Sequence, residues 1–282
     1  MKLQIRRVLD LILARDPLPL QPQQKEVTVV FTDLAGFASV SEHLKDQFVL
    51  LNDYLSLVVP IVRRHGGYLN KLLGDGLMYF FNAPRDNPNH ARDAVASALD
   101  MQAAMAGVRQ PLREHDLPAL KLRCGIATGE VVVGNVGPAD GSFSDYTVLG
   151  DSVNLASRLE TANRYFDTGI MLNDRARELA GGNFLYRPIG ILKVIGSTGV
   201  MITEALALME KATDQQKRLA EMTAELVNAF IHADFGKALK LAHTIADEFG
   251  KTRLTNLYAA ECERYQATPP KDFTGELSLG EE

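Results

Sequence analysis

Only two cysteines occur in the 282 residues, Cys124 and Cys262, far apart in unlike segments. That scarcity excludes a disulfide framework and a thiolate metal site, and both read as buried, inert thiols. Long apolar runs are also missing. The longest, such as LSLVVPIV at 55–62, fall well short of the roughly 20 residues that span a bilayer, so no direct membrane span is expected. The opening MKLQIRRVLDLILARD starts basic, but Asp10 interrupts its apolar run and no small-residue cleavage site follows. Without an export signal, the expected location is cytoplasmic. Basic charge is not in excess either: 30 Lys and Arg against 35 Asp and Glu give a net charge of −5 and a pI near 5.7. A nucleic-acid partner is therefore not expected.

What is present is a chain able to fold. A hydrophobic content of 46% supports one large packed domain with an appendage. Residues 1–25 hold a short helix candidate with Ile5, Val8, Leu9, Ile12 and Leu13 on one side. The segment PLPLQPQQ then reads as a proline-rich linker. The run VTVVFTDL predicts a strand. From Val40 through Leu44, Phe48, Leu51, Leu55 and Val58 to Val62, steps of three and four predict one long amphipathic helix, ended by Gly66 and Gly67 and kinked near Pro60. YLNKLL and LMYFF predict a hairpin across Gly74-Asp75-Gly76, which places Asp75 in a tight turn.

A second helix is expected from about Asn89 to Val108. LKLRCGIATGEVVVGNVG (120–137) reads as two strands hinged near Thr128-Gly129. DYTVLG predicts another strand, SVNLASRLETAN a helix capped by Asp151, and IMLND, GILKVIG and VMITEAL further strands. Strands interleaved with helices indicate α+β architecture, a mixed sheet with packed helices. Beyond about Glu210 the pattern is helical, in one or two units like a tetratricopeptide repeat. Such units normally need at least three copies to stand alone, so these are expected to dock on the domain or on another chain. The expected divisions are 1–25, 26–208 and 209–282.

One residue in the first strand is out of place. Asp33 ends a β-branched, aromatic run, and an unpaired carboxylate in a water-excluding strand would cost several kcal/mol. Asp75 lies in a hairpin turn, and adjacent strands of one sheet run only about 4.8 Å apart. Two such carboxylates can share divalent cations, and Mg²⁺ is usually held by one or two carboxylates plus substrate phosphates. Asn154 and Arg158, four residues apart in a predicted helix, project from one face and can address a single substrate.

FTDLAGF, GGYLNKLLGDGLMYFF, GIATGEVVVGNVG and DYTVLGDSVNLASRLE occur in that order between roughly Val27 and Leu206. Together they closely resemble the class III nucleotidyl cyclase catalytic domain. The resemblance implies a ferredoxin-like mixed sheet and two metal ions, Mg²⁺ or Mn²⁺, on Asp33, Asp75 and the main-chain carbonyl of Leu34. It also implies in-line attack of a ribose 3′-hydroxyl on the α-phosphate, with pyrophosphate leaving. Asn154 would orient the ribose and Arg158 would stabilise charge at the α-phosphate, as suits a permanently charged guanidinium. Lys71 and Thr147 match the base-reading pair: Lys71 donates to adenine N1 and Thr147 accepts from the N6 amine, which selects ATP. Guanylate cyclases of the family usually carry an acid where Lys71 stands. Thr147 replaces an Asp found in many relatives, a form associated with bicarbonate-responsive members.

In the family, sites form at a head-to-tail dimer interface. A chain holding both half-sites is therefore expected to be a homodimeric adenylate cyclase. One departure is the late-strand lysine that contacts triphosphate: here LKVIGS places Ile195 at that position and leaves Lys193 as the nearest replacement. The alternatives are guanylate cyclase and a catalytically silent, nucleotide-sensing or helical-repeat scaffold. In either case the C-terminal helices are the candidate contact for a regulatory partner or sensor segment. No GG[DE]EF sequence occurs, which speaks against the related cyclic dinucleotide synthases.

Overall fold

The computed structural model describes residues 21–41, 47–114, 118–138, 140, 142–192 and 199–277. The expected N-terminal helix lies in residues 1–20, outside that set. Strand β1 (Gln23–Ala35) pairs antiparallel with β3 (Gly76–Phe81) on one side and β4 (Lys121–Val136) on the other. The hairpin partner β2 (Tyr68–Leu73) flanks β3. Beyond β4 come β6 (Ile170–Asn173), β8 (Val200–Leu208), β7 (Phe184–Leu192) and a short β9 (Glu276–Leu277), while β5 (Asp145–Leu149) pairs with the far end of β4. The β4–β6 and β7–β9 pairs are parallel and the rest antiparallel, so the sheet is mixed, as expected.

Alternation along β1 distributes its side chains between two cores. Val30 and Leu34 point to a cluster completed by α2 (Gln47–Arg64), α3 (His90–Glu114) and α5 (Asp174–Ala180). Val27 and Val29 point to the other. That second core is built with α4 (Asp151–Phe166) and the C-terminal helices α6 (Asp214–Ile231), α7 (Phe235–Phe249) and α8 (Arg253–Ala267).

Three local expectations change. Of the long helix, α1 (Phe37–Ser41) and α2 are described, with 42–46 and hence Leu44 outside the described residues. Of the expected apolar line, Val40, Val58 and Val62 are buried and Leu51 and Leu55 pack against the same core, whereas Phe48 is 74% exposed and Leu50, Tyr54 and Ile61 complete the buried side of α2. The 120–137 segment is one strand rather than two, because β1 and then β5 keep it paired along its length. The glycines there serve another purpose. A Cβ at Gly125 would lie 2.1 Å from the Ala156 carbonyl oxygen, and one at Gly129 2.1 Å from the Ser152 hydroxyl, so both permit α4 to lie close on β4. Finally, Gly150 rather than Asp151 occupies the N-cap of α4, with no side-chain cap bond. Asp151 sits in the first turn, where its charge suits the helix dipole.

The C-terminal helices dock on the same chain. Leu226, Phe230 and Tyr258 join the second core, Phe230 meets the Tyr258 ring edge-on at 5.0 Å, and the Tyr258 hydroxyl donates to the Ile189 carbonyl at 2.8 Å. The chain then returns as β9, an element the sequence did not reveal. Both cysteines are free and buried, and burial pushes both thiols up, Cys262 to about 11. Their burial is as expected. Among the described residues no helix is long and apolar enough to cross a membrane.

Candidate active site

Two groups of residues emerge from the first five strands. At one end, Thr32 and Leu77 close the β1–β3 pairing, and the next residue is Asp33. Leu73 pairs with Gly76, so Gly74 and Asp75 form the two-residue turn. Gly74 takes φ +66, and a Cβ at Gly76 would fall 2.3 Å from the Thr32 carbonyl oxygen. The hairpin tip is thereby drawn against the end of β1, where the Leu34 backbone hydrogen-bonds the Asp75 carboxyl. Burial and then the charge of Asp33 raise the Asp75 pKa, against the opposing pull of these backbone bonds. Two carboxylates that resist joint ionisation form a site short of positive charge.

Asp33 is less enclosed than the strand pattern predicts: its side chain is 38% exposed, and Arg123, its register partner on β4, approaches to 3.8 Å. Part of the compensation sought for Asp33 is therefore solvent and a guanidinium. The case for cations rests on the Asp33–Asp75 pairing instead. Glu160, from α4, adds to it; burial first, then the charge of Asp33, push its pKa up to about 7. Among the described residues no group of three or more His, Cys, Asp or Glu is arranged to hold a metal ion. A two-carboxylate set with the Leu34 carbonyl fits ions whose remaining ligands come from phosphate and water.

The second group is a cleft of about 340 Å³ that brings Lys71 and Thr147 together, walled by Met78, Val136, Phe143 and Val153. Lys71 Nζ reaches Asp145 at 3.4 Å, and the Thr147 hydroxyl donates to Asn70 Oδ1 at 3.0 Å. Asn154 and Arg158 stand on the exposed side of α4, while Ala156 and Leu159 face the core. Their four-residue spacing does place them one turn apart on one face.

Residues 20–203 match the Adenylate and Guanylate cyclase catalytic domain. The chain belongs to that family. Adenylate cyclase 1 of Rhizobium meliloti (strain 1021) is 32% identical over 189 residues, covering 66% of this chain and 28% of that protein. The chain thus spans less than a third of that relative's length. The adenylyl cyclase CyaB of P. aeruginosa is 33% identical with a TM-score of 0.62, covering 69% of this chain and 100% of the solved one. The guanylyl cyclase Cya2 is 31% identical with a TM-score of 0.60, covering 69% and 98%.

Within this cyclase domain, Lys193 and Ile195 lie outside the described residues. Arg123, Asn70, Asp145 and Glu160 were not foreseen. Asp145 had a signal, since it sits two residues before Thr147 on one strand and so shares its face. Glu160 lies two positions beyond Arg158 in the same motif, on the inner flank of the helix.

Proposed function

We propose that the chain is an adenylate cyclase, converting ATP to 3′,5′-cyclic AMP and pyrophosphate at sites completed by a second copy of itself. The observation that carries this reading is the joining of Lys71 and Thr147 in one cleft, Lys71 coming from the same hairpin that holds Asp75 beside Asp33. Apolar walls suit a purine, and Lys71 supplies the donor that adenine N1 requires. Asp33, Asp75 and the Leu34 carbonyl would hold two divalent ions, Mg²⁺ or Mn²⁺, which when bound neutralise phosphate charge and sharpen the attacking hydroxyl.

The chain's own residues do the positioning. Asn154 holds the ribose so that its 3′-oxygen lies in line with the α-phosphate, and Arg158 receives the charge that develops there. No protein nucleophile takes part. Because Asn154 and Arg158 present an exposed face, they are available to a nucleotide whose phosphates lie on the carboxylates of a second copy. Two equivalent sites per homodimer follow from that symmetry. The helices beyond Leu208 form a tetratricopeptide-like extension, through which a regulatory partner would act; partner binding lost on exchanging exposed residues of α6–α8, with the fold retained, is its test.

A guanylate cyclase is the second reading, favoured by Thr147 standing where many adenylate cyclases carry Asp and by the likeness to Cya2. Incubating purified protein with ATP or GTP plus Mg²⁺ or Mn²⁺, and resolving the products, decides between them. Cyclic AMP should dominate. Dominant cyclic GMP would remove the roles given to Lys71 and Thr147.

A further inference from the structure

In the register of β2 with β3, Leu69 pairs with Tyr79 and Lys71 with Met78, so Asn70 is an extra residue. Such a bulge bends the strand and re-aims side chains, often beside active sites. Here it lets two consecutive residues act on the same cleft. Lys71 lines it directly, and Asn70 stands behind Thr147 without lining it.

The hydrogen bonds of Asn70 fix where the protons are. Its Nδ2 donates to the Tyr146 main-chain carbonyl at 2.8 Å, and a carbonyl can only accept. The amide is therefore oriented with Nδ2 toward Tyr146 and Oδ1 toward Thr147, with no freedom to flip. Oδ1 in turn can only accept, so the Thr147 hydroxyl spends its single proton on Asn70. What remains for the cleft is a pair of lone pairs. A hydroxyl is normally ambivalent, donating or accepting as its neighbour requires, and would read a 6-amino and a 6-oxo purine alike. Locked by Asn70, Thr147 offers only an acceptor.

We infer that Asn70 is the positioning residue that makes Thr147 selective for a 6-amino purine, by holding its proton away from the base. This rests on the adenylate cyclase reading and supplies the step that reading lacks, since threonine alone is not selective. Asn70 touches no substrate and acts entirely through Thr147.

The test compares kcat/KM for ATP and inosine triphosphate in wild-type and variant full-length chains. The mismatch of inosine at Lys71 is common to all of them and cancels. Asn70→Leu, which cannot accept, should raise the inosine-to-ATP ratio about tenfold, the worth of roughly one net hydrogen bond. Asn70→Asp retains an acceptor for Thr147 and should leave the ratio at or below the wild-type value. If the leucine variant does not fold, Asn70→Ala takes its place. Thr147→Val separates the two claims. A ratio that shifts in Thr147→Val but not in Asn70→Leu overturns the role of Asn70 and leaves Thr147 as base reader. A ratio unchanged in Thr147→Val removes Thr147 from base reading, and Asn70 with it. An aspartate variant that behaves like the leucine variant also overturns the inference, because packing rather than an acceptor would then be at stake.

Discussion

The carboxylate end and the cleft of Lys71 and Thr147 share one hairpin but are built on opposite plans. At the end of β1, Asp33, Asp75 and Glu160 gather on strand end, turn and helix, with Arg123 as the guanidinium that reaches Asp33. Burial and mutual repulsion raise the Asp75 and Glu160 carboxyls there, so the region favours added positive charge. In the cleft the polar groups are already paired: Lys71 with Asp145, Thr147 with Asn70, and Asn70 with the Tyr146 carbonyl. In the proposed reaction, the metal ions that accompany the triphosphate would supply the positive charge that the first region lacks. The second is finished in advance, the preorganisation that the proposed reading of a base would need.

Each plan breaks differently. The largest effect is expected at the carboxylate end: Asp75→Asn, or chelation of divalent metal, should reduce cyclic AMP formation by about a thousandfold or more while the protein keeps its fold. A loss of only a few fold would show that Asp75 holds no essential charge. In the cleft the effect is smaller and of another kind. Lys71→Glu should cost about tenfold to a hundredfold in kcat/KM for ATP while raising the relative use of GTP, because an acid accepts where adenine also accepts. Equal loss for both nucleotides would mean that the cleft does not read the base.

The smallest effect concerns stability. Glu160 has its folded pKa raised from 4.5 to about 7, so the folded state binds its proton more tightly than the unfolded chain. Its stabilising contribution is complete below about pH 4.5 and is lost as pH rises through about 7. Metal-free Glu160→Gln should therefore match wild type near pH 4 and melt higher above pH 7, by less than about 4 °C. Melting curves in the absence of divalent ions, compared across that range, measure the difference. An unchanged difference at all pH values would remove Glu160 from the charge cluster.

Much of this division was legible in the sequence because its carriers are local. The hairpin signal fixes Asp75, the strand run fixes Asp33, and the four-residue spacing fixes Asn154 and Arg158 on one helical face. What escaped is non-local. Arg123 meets Asp33 only through the register of β4 on β1, and Asp145 meets Lys71 across 74 residues of chain. Asn70 reads as an ordinary strand position until the bulge turns it. The supposed hinge at Thr128-Gly129 failed for a related reason: glycine there answers the close approach of α4, an event invisible in local pattern. Phe48 shows the same limit in a helix: it fits the apolar spacing and yet is exposed, at the first turn of α2.

Co-purified chains carrying Asp33→Ala and Arg158→Ala test most directly whether two copies build each site. Each variant alone should be nearly inactive. After mixing, heterodimers should regain one competent site, giving about a quarter of wild-type activity for random pairing. Absence of any recovery, with heterodimers demonstrated, would contradict the shared site.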